Sequence, residues 1–517
     1  MKPGKEEKNK GIQFNKPGSG RKRSINFLAL GLVSVLIMGY VSGSSLPLEI
    51  LETAFAGQPP ALEDTSLFEE GFKGGWEDED PFTSIDDTLP AGAENTPAKS
   101  SKLHLGGFME LEAEVGFEKK KEELSLFRPL LFVETEYRIN ENHKFRASGQ
   151  AWHEGSYGIT SRNLPGAQFL DDRESDFEVK DLYLDSSLND IFSMRAGRQI
   201  IAWGDSNYAR ITDVVNPRDL TRPGLMDLKD SRLPVAALRL SAVYNDIYLD
   251  LVSIHEHPGS KLSGIGSDFD YYASLRHPSI YIQDKQTPDT GFSDAGFAFK
   301  ATRSFNGGDI SLVAANTFDD QPVLFFNEIS NLGILEYTPR YEKYKTLGLS
   351  ASLVRDAALF KLETAFRLGR ALQRNDIMQQ VFEGISPESV RNFEDRNQVE
   401  ILTGLEYTGI SHLILLLESK LLHTLDHDSF LAIPEYEYQT YFQANYEMLR
   451  ETLDLELFWV YFYPGHGHLL RMSCEYDILD DISVQVGAAF YLADNSDSVI
   501  YAYRDMDRLF FRFKYFF

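Results

Sequence analysis

The sequence predicts an all-β protein, a transmembrane antiparallel β-barrel of about 18 strands with long extracellular loops and short periplasmic turns. Three observations predict it: an aromatic strand ends the chain, apolar and polar residues alternate from Leu103 onward, and short and long connections alternate between the strands. A barrel of about 16 strands is the nearest alternative.

Residues 1–56 have the features of a secretory signal peptide. Residues 1–24 are polar and basic, Ile25 to Val41 is a predominantly apolar run, and Ala54-Phe55-Ala56 is a small-x-small cleavage site. A charged start, an apolar core and such a site direct a chain out of the cytoplasm. An uncleaved membrane anchor is the alternative, because the apolar run is slightly long for a signal peptide.

Residues 57–102 form an acidic segment in which Pro, Gly and Ser are frequent and no apolar period is sustained. A segment of this composition cannot bury enough apolar surface to fold by itself, so we expect a disordered periplasmic segment. It is a candidate contact for a periplasmic partner. A solvated tail is the simpler interpretation.

The barrel is predicted over residues 103–517, where apolar side chains recur at every second position. This is the period of a strand with one lipid-facing side and one wet side. Runs of this kind lie at 103–117, 125–139, 143–154, 176–188, 191–204, 234–244, 247–257, 293–305, 308–318, 340–355, 358–371, 397–408, 411–423, 435–447, 452–463, 467–478, 482–493 and 507–517. Each is long enough for a tilted strand to cross a bilayer.

Short and long connections alternate between these runs. The connections from even-numbered to odd-numbered runs are short turns, and as a set they are rich in Asn, Asp and Gly, as in Asn140-Glu141-Asn142 and Tyr244-Asn245-Asp246. These residues are typical of tight hairpins. Connections after odd-numbered runs are mostly long, and one of them, 372–396, has the apolar spacing of a short amphipathic helix from Ile377 to Phe382. Long loops at one rim and short turns at the other are typical of outer-membrane barrels.

The chain ends on a strand with one apolar and one charged face, DRLFFRFKYFF. The apolar face consists of Leu509, Phe511, Phe513, Tyr515 and Phe517. Arg512 and Lys514 point the other way, because successive side chains of a strand alternate. The pattern resembles the C-terminal signal of Gram-negative outer-membrane barrels, which implies recognition of the strand ending in Phe517 by the barrel-assembly machinery. An ordinary amphipathic edge strand is the alternative.

Composition and charge exclude several other classes. The chain is 43% hydrophobic and 25% charged, which fits neither a helical membrane protein nor a disordered one. The net charge of −27 leaves no basic footprint for nucleic acid. One cysteine, Cys474, forms no intrachain disulfide, and no Cys/His spacing suits a metal. No enzyme motif stands in a suitable context, so we predict neither an enzyme nor a cofactor; a Ser–His–Asp set in the lumen remains the open alternative.

The least generic stretch runs from Arg195 to Gly224. It begins as the fifth strand and leaves the sheet at Trp203-Gly204-Asp205. Because Pro217 and Pro223 cannot donate to a sheet ladder, the rest of the stretch is predicted to be a loop. Asp219-Leu220 is predicted to be a short turn capped by Asp219. Gly197-Arg198-Gln199, Trp203-Gly204 and Asn216-Pro217-Arg218-Asp219 resemble the shared G-R/K-Q…W-G…N-P-x-D pattern of a family of Gram-negative outer-membrane proteins catalogued as a domain of unknown function. The resemblance implies an outer-membrane pore or transporter and no particular ligand.

Residues 205–233 mix acids and bases, so this loop can fold inward, pair its charges and constrict the lumen. The alternative is an extracellular loop held by salt bridges. The candidate pore or constriction residues are Arg198, Trp203, Asp205, Arg210, Asp213, Asn216, Arg218, Asp219 and Arg222. Parity assigns a further set to the lumen wall, namely Glu110, Glu112, Glu114, Arg128, Glu134, Glu136, Arg138, Lys144 and Arg146. Mixed charges there either tune solute selectivity or pair across strands.

The sequence therefore predicts a porin-like channel or transporter in the outer membrane of a Gram-negative bacterium, surrounded by outer-membrane lipids and lipopolysaccharide. Two alternatives remain: an outer-membrane component of a lipid or hydrophobic-compound export system, and a plugged structural or adhesive barrel.

Overall fold

A computed structural model of the chain describes residues 102–118, 121–156, 175–226, 228–263, 267–270, 272, 275 and 279–517. The predicted signal peptide and almost all of the acidic segment lie outside these residues. In the described part of the chain, no helix is long and apolar enough to cross a membrane.

The main sheet has 18 strands, numbered here β1 to β18 in chain order. Their bounds are β1 Leu103–Glu118, β2 Lys121–Asn140, β3 His143–His153, β4 Ser175–Ser187, β5 Phe192–Gln199, β6 Val235–Tyr244, β7 Ile247–Ile254, β8 Gly296–Phe305, β9 Gly308–Phe318, β10 Lys343–Arg355, β11 Ala358–Gln373, β12 Phe393–Ile410, β13 Leu413–Thr424, β14 Tyr436–Met448, β15 Leu453–Tyr463, β16 Gly467–Leu479, β17 Ile482–Leu492 and β18 Arg508–Phe516. The predicted strand number and order are confirmed.

Each strand pairs antiparallel with its neighbours in the chain, and β1 pairs with β18, which closes the barrel. At the seam, Gly107 and Phe517 exchange two backbone hydrogen bonds of 3.1 and 3.0 Å between N and O. Closure leaves no unpaired sheet edge, which is what a barrel in lipid requires.

The two rims differ as predicted. Two-residue turns join β2 to β3 and β6 to β7, and Asn245 in the second of these has a φ of 52°, a left-handed conformation that Asn tolerates. The opposite rim carries the long connections. Two of them supply a three-stranded sheet, formed by Ile280–Ile282, Val323–Ile329 and Leu335–Arg340. The predicted helix Ile377–Phe382 is confirmed and packs against this sheet.

Two local predictions are wrong. The fifth strand ends at Gln199 rather than reaching residue 204, because the amide of Ile201 already donates to the side chain of Asn216. Asp219–Leu220 is a short strand that pairs in parallel with Lys261–Leu262 in the loop after β7. Its backbone groups find partners in a distant loop, which a local turn prediction does not anticipate.

The outward face of the barrel is apolar. Leu312, at the centre of β9, is 58% exposed, whereas its neighbour Ser311 is 1% exposed on the inner side. We expect Leu312→Arg to destabilise the folded barrel by about 2–4 kcal/mol, because a charge near the bilayer midplane loses its hydration. The measurement is urea unfolding in lipid vesicles, followed by the electrophoretic shift between folded and unfolded barrel. Leu332→Arg in a rim loop is the control, and equal effects at the two positions would contradict a lipid-facing Leu312.

Candidate functional site inside the barrel

The connection between β5 and β6, residues 200–234, contacts inward-facing side chains from most of the ring; it is called the inner segment below. Its contacts reach Asp250 in β7, Lys300 in β8, Glu363 in β11, Glu418 in β13, Arg471 in β16, Tyr491 in β17, Arg512 in β18, and Glu112 and Glu114 in β1. Because these strands stand on different sides of a closed sheet, the segment runs within the ring that they form.

Asn216 ties the two ends of the inner segment together. Its side-chain oxygen accepts from the amide of Ile201 at 2.7 Å, and its amide nitrogen donates to the carbonyl oxygens of Gln199 at 3.2 Å and Leu233 at 2.8 Å. Asn216 is fully buried, so these bonds satisfy most of its capacity. The Asn of the N-P pattern therefore holds the base of the loop.

Trp203 anchors the start of the segment in an apolar cluster. It is 2% exposed and packs with Ile201, Val214, Val215 and Val252. Its indole Nε1 donates to the carboxylate of Asp250 at 3.3 Å, which gives the ring's polar atom a partner on the wall.

Glu363, on the inner wall in β11, binds the next part of the segment, residues 205–212. Its carboxylate accepts from the backbone amides of Asp205 at 2.9 Å, Ser206 at 2.7 Å and Thr212 at 3.1 Å, and from the hydroxyl of Thr212 at 2.7 Å. Backbone N–H groups that point at one carboxylate form charge-assisted bonds, which are the strong ones. Glu418 adds a second anchor, accepting from the hydroxyl of Ser206 at 2.6 Å and the amide of Asn207 at 3.1 Å.

The segment pairs three of its four arginines. Arg210 binds Asp320, Arg232 binds Asp213 at 2.9 Å, and Arg222 reaches both Glu112 at 2.9 Å and Glu114 at 2.7 Å. Burial raises the pKa of Asp320, but the guanidinium groups of Arg210, Arg218 and Arg370 outweigh it and hold that pKa well below its usual range. Asp320 therefore stays ionised in its half-buried position.

Three further candidates, Asp219, Arg198 and Asp205, make fewer contacts in this network. Asp219 accepts from the amide of its near neighbour Thr221 at 2.9 Å. Arg198 lies at the end of β5, where it binds Glu256 and donates to the carbonyl of Val179 at 3.0 Å. Burial raises the pKa of the Asp205 carboxyl, and its Oδ2 has no hydrogen-bond partner among the described residues.

The predicted wall residues form cross-strand pairs. Glu112 binds Arg128 at 2.7 Å and Arg512 at 2.9 Å, and Glu114 binds Arg508 at 2.7 Å. The other pairs are Glu110 with Lys514 and Glu134 with Arg146, while Glu136 stands in register with Arg146 and Arg138 with Lys144.

Sequence reasoning missed several wall groups that hold the segment. These are Asp250, Lys300, Asp320 and Glu418. For all but Asp320, which lies in a loop, the signal was present as a charged residue at an inward-facing position of a strand. What it would pair with depends on contacts across the barrel, which no local pattern encodes.

The chain is similar to one protein family and to several solved structures. A family model described as "Protein of unknown function (DUF1302)" matches residues 117–517. The crystal structure of OccAB1 from Acinetobacter baumannii has a TM-score of 0.46 and 10% identity, and covers 80% of this chain and 96% of that one. OccAB3 from the same organism has a TM-score of 0.47 and 10% identity, covering 80% and 99%. OccK5 (OpdH) from Pseudomonas aeruginosa has a TM-score of 0.45 and 8% identity, covering 80% and 98%. No curated protein matches the chain.

Proposed function

This chain belongs to the DUF1302 family, and from its closed barrel and inner segment we propose that it is a channel for a small hydrophilic solute in the outer membrane of a Gram-negative bacterium. The inner segment occupies one side of the lumen, and solute passes on the other side, between the segment and strands β2 to β5. A narrow, polar passage admits small water-soluble molecules and excludes folded chains.

The observation that carries the proposal is a contrast in exposure around the inner wall. Asp250, Glu363 and Glu418, which face the segment, are each 0% exposed. Among the carboxylates of β2 and β4, by contrast, the side chains of Glu134 and Asp181 are 17% and 20% exposed. Charged groups keep contact with water unless burial is compensated, so the second set supports a wet path along these strands.

The chemistry of that wall suits a hydrophilic solute. Arg146 donates to Glu134 at 2.8 Å, Gln150 donates to Glu178 at 3.0 Å, and Ser148 donates to Asp181 at 3.0 Å. Such pairs present both donors and acceptors along the path, as the lining of a selective pore does. An apolar solute would displace water from these groups without replacing its hydrogen bonds, which costs affinity.

The full-length protein, reconstituted in a planar bilayer, is expected to give discrete conductance steps because the path beside the segment is wet. In a Cys474→Ser background, a charged thiol reagent should reduce the conductance of Gln150→Cys, whose side chain lines the path. Ser350→Cys is the matched control, because Ser350 is 0% exposed on the inner wall of β10 and the reagent cannot reach it.

Folded protein that inserts into the bilayer without conductance would overturn the channel and favour a plugged structural barrel. If the reagent instead reduces the conductance of Ser350→Cys and not that of Gln150→Cys, the path does not run along strands β2 to β5.

A further inference from the structure

Arg218 differs from every other arginine of the inner segment. Its backbone amide donates to the hydroxyl of Ser260 at 3.1 Å, and its carbonyl oxygen accepts from Lys261 at 2.8 Å. These bonds fix the main chain at this position. In the described part of the chain, no hydrogen bond or ion pair holds its guanidinium, and its Nε is shielded from solvent without a partner.

The carboxylates that act most strongly on Arg218 are already paired with other arginines. Asp320 pairs with Arg210, and Asp213 pairs with Arg232. Arg210 is also close enough to repel Arg218. Burial and this repulsion lower the pKa of Arg218, whereas the pKa of Arg210 and of Arg222 is raised by their acidic partners.

A half-buried guanidinium without a hydrogen-bonded counter-ion of its own costs stability. A guanidinium offers donors in a fixed fork that matches two oxygens of a carboxylate or a phosphate. Asp320 and Asp213 attract Arg218 electrostatically without bonding to it, so an anion in the fork would supply the paired oxygens that the described residues do not.

We propose that Arg218 binds the oxyanion group of the solute, a carboxylate or a phosphate, inside the barrel. The inference rests on the proposed channel function and names the class of solute that the channel prefers. Arg218 is a specificity-determining residue in this scheme, while Arg210, Arg222 and Arg232 hold the segment in shape.

The test compares Arg218→Gln with the wild-type full-length protein in two measurements. In planar bilayers with a KCl gradient, the reversal potential should show a lower chloride-to-potassium permeability in the variant. In detergent, calorimetric titration with inorganic phosphate and with acetate should show binding that Arg218→Gln weakens by about tenfold or more, the value of one charge-assisted contact. Whichever probe binds more tightly identifies the oxyanion class.

Two further variants separate this role from a structural one. Lys514→Gln removes one positive charge from the inner wall away from Arg218, and it should leave phosphate and acetate binding unchanged. Arg218→Lys keeps the charge but loses the fork, so binding should fall partway. Because the Arg218 guanidinium has no hydrogen bond or ion pair to lose among the described residues, Arg218→Gln should fold about as stably as the wild type, which the electrophoretic shift measures.

The outcomes distinguish the site from the channel. If the protein conducts, but Arg218→Gln has the ion selectivity and the phosphate and acetate binding of the wild type, the oxyanion site is wrong and the channel function is retained. If the barrel does not conduct but binds phosphate or acetate, and Arg218→Gln abolishes that binding, the channel function is wrong and the oxyanion site is retained. Loss of stability in Arg218→Gln, with no phosphate or acetate binding in the wild type, identifies Arg218 as structural and overturns the proposal.

Discussion

Glu112→Ala is expected to destabilise the barrel by about 3–5 kcal/mol, the range found when one partner of a buried ion pair is removed. Glu112 is 1% exposed in β1 and binds three guanidinium groups, those of Arg128 at 2.7 Å, Arg222 at 2.9 Å and Arg512 at 2.9 Å. Arg128 and Arg512 come from the two strands that flank β1, and Arg222 comes from the inner segment. One carboxylate thus joins the closing seam to the segment, and its loss leaves three positive charges close together.

The measurement is urea unfolding of the refolded protein in lipid vesicles, read from the electrophoretic shift. Glu110→Ala is the matched control, two residues away on the same face of the same strand. Its partner Lys514 lies at 3.2 Å, and the two side chains are 11% and 33% exposed, so we expect a cost of at most about 1 kcal/mol. Equal effects of the two substitutions would show that the Glu112 cluster does not hold the seam.

The alternation of the strands was predictable because lipid and water meet opposite faces of every strand. Glu112 and Glu114 point inward and Leu111 and Val115 outward for this reason alone, without knowledge of any partner. The sorting of long and short connections to opposite rims follows from antiparallel pairing of consecutive strands. Those two regularities sufficed for the number of strands, their order and the inward position of most charges.

The arrangement of the inner segment was beyond sequence reasoning because its contacts are distant in the chain. Arg222 and Glu114 are 108 residues apart, and Ser206 and Glu418 are 212 apart. A parallel pairing such as Asp219 with Lys261 leaves no local signature. The W-G and N-P elements drew attention to the right stretch, but their role in closing the loop emerged only from the hydrogen bonds of Asn216 and Trp203.

Glu363→Ala is expected to release the first half of the inner segment and to raise the single-channel conductance of the protein. The Glu363 carboxylate accepts from three backbone amides and one hydroxyl between Asp205 and Thr212. Each hydrogen bond to a charged group contributes about 1.5–3 kcal/mol, and a buried amide left without an acceptor adds its own desolvation cost. Those amides then gain hydration by leaving the wall, so residues 205–212 should move out of the lumen and widen the path.

Two readouts follow from that movement: a larger or noisier conductance step, and cleavage by an added protease within residues 205–212. Glu475→Ala is the matched control, since Glu475 accepts one hydrogen bond from Gln485 at 3.3 Å on the neighbouring wall strand and none from the segment. Glu363→Gln keeps one acceptor oxygen and should lie between the wild type and the alanine variant. If Glu363→Ala has the conductance and the protease resistance of Glu475→Ala, the segment is held by its other anchors, Glu418 and Asp250, and Glu363 is dispensable for its position.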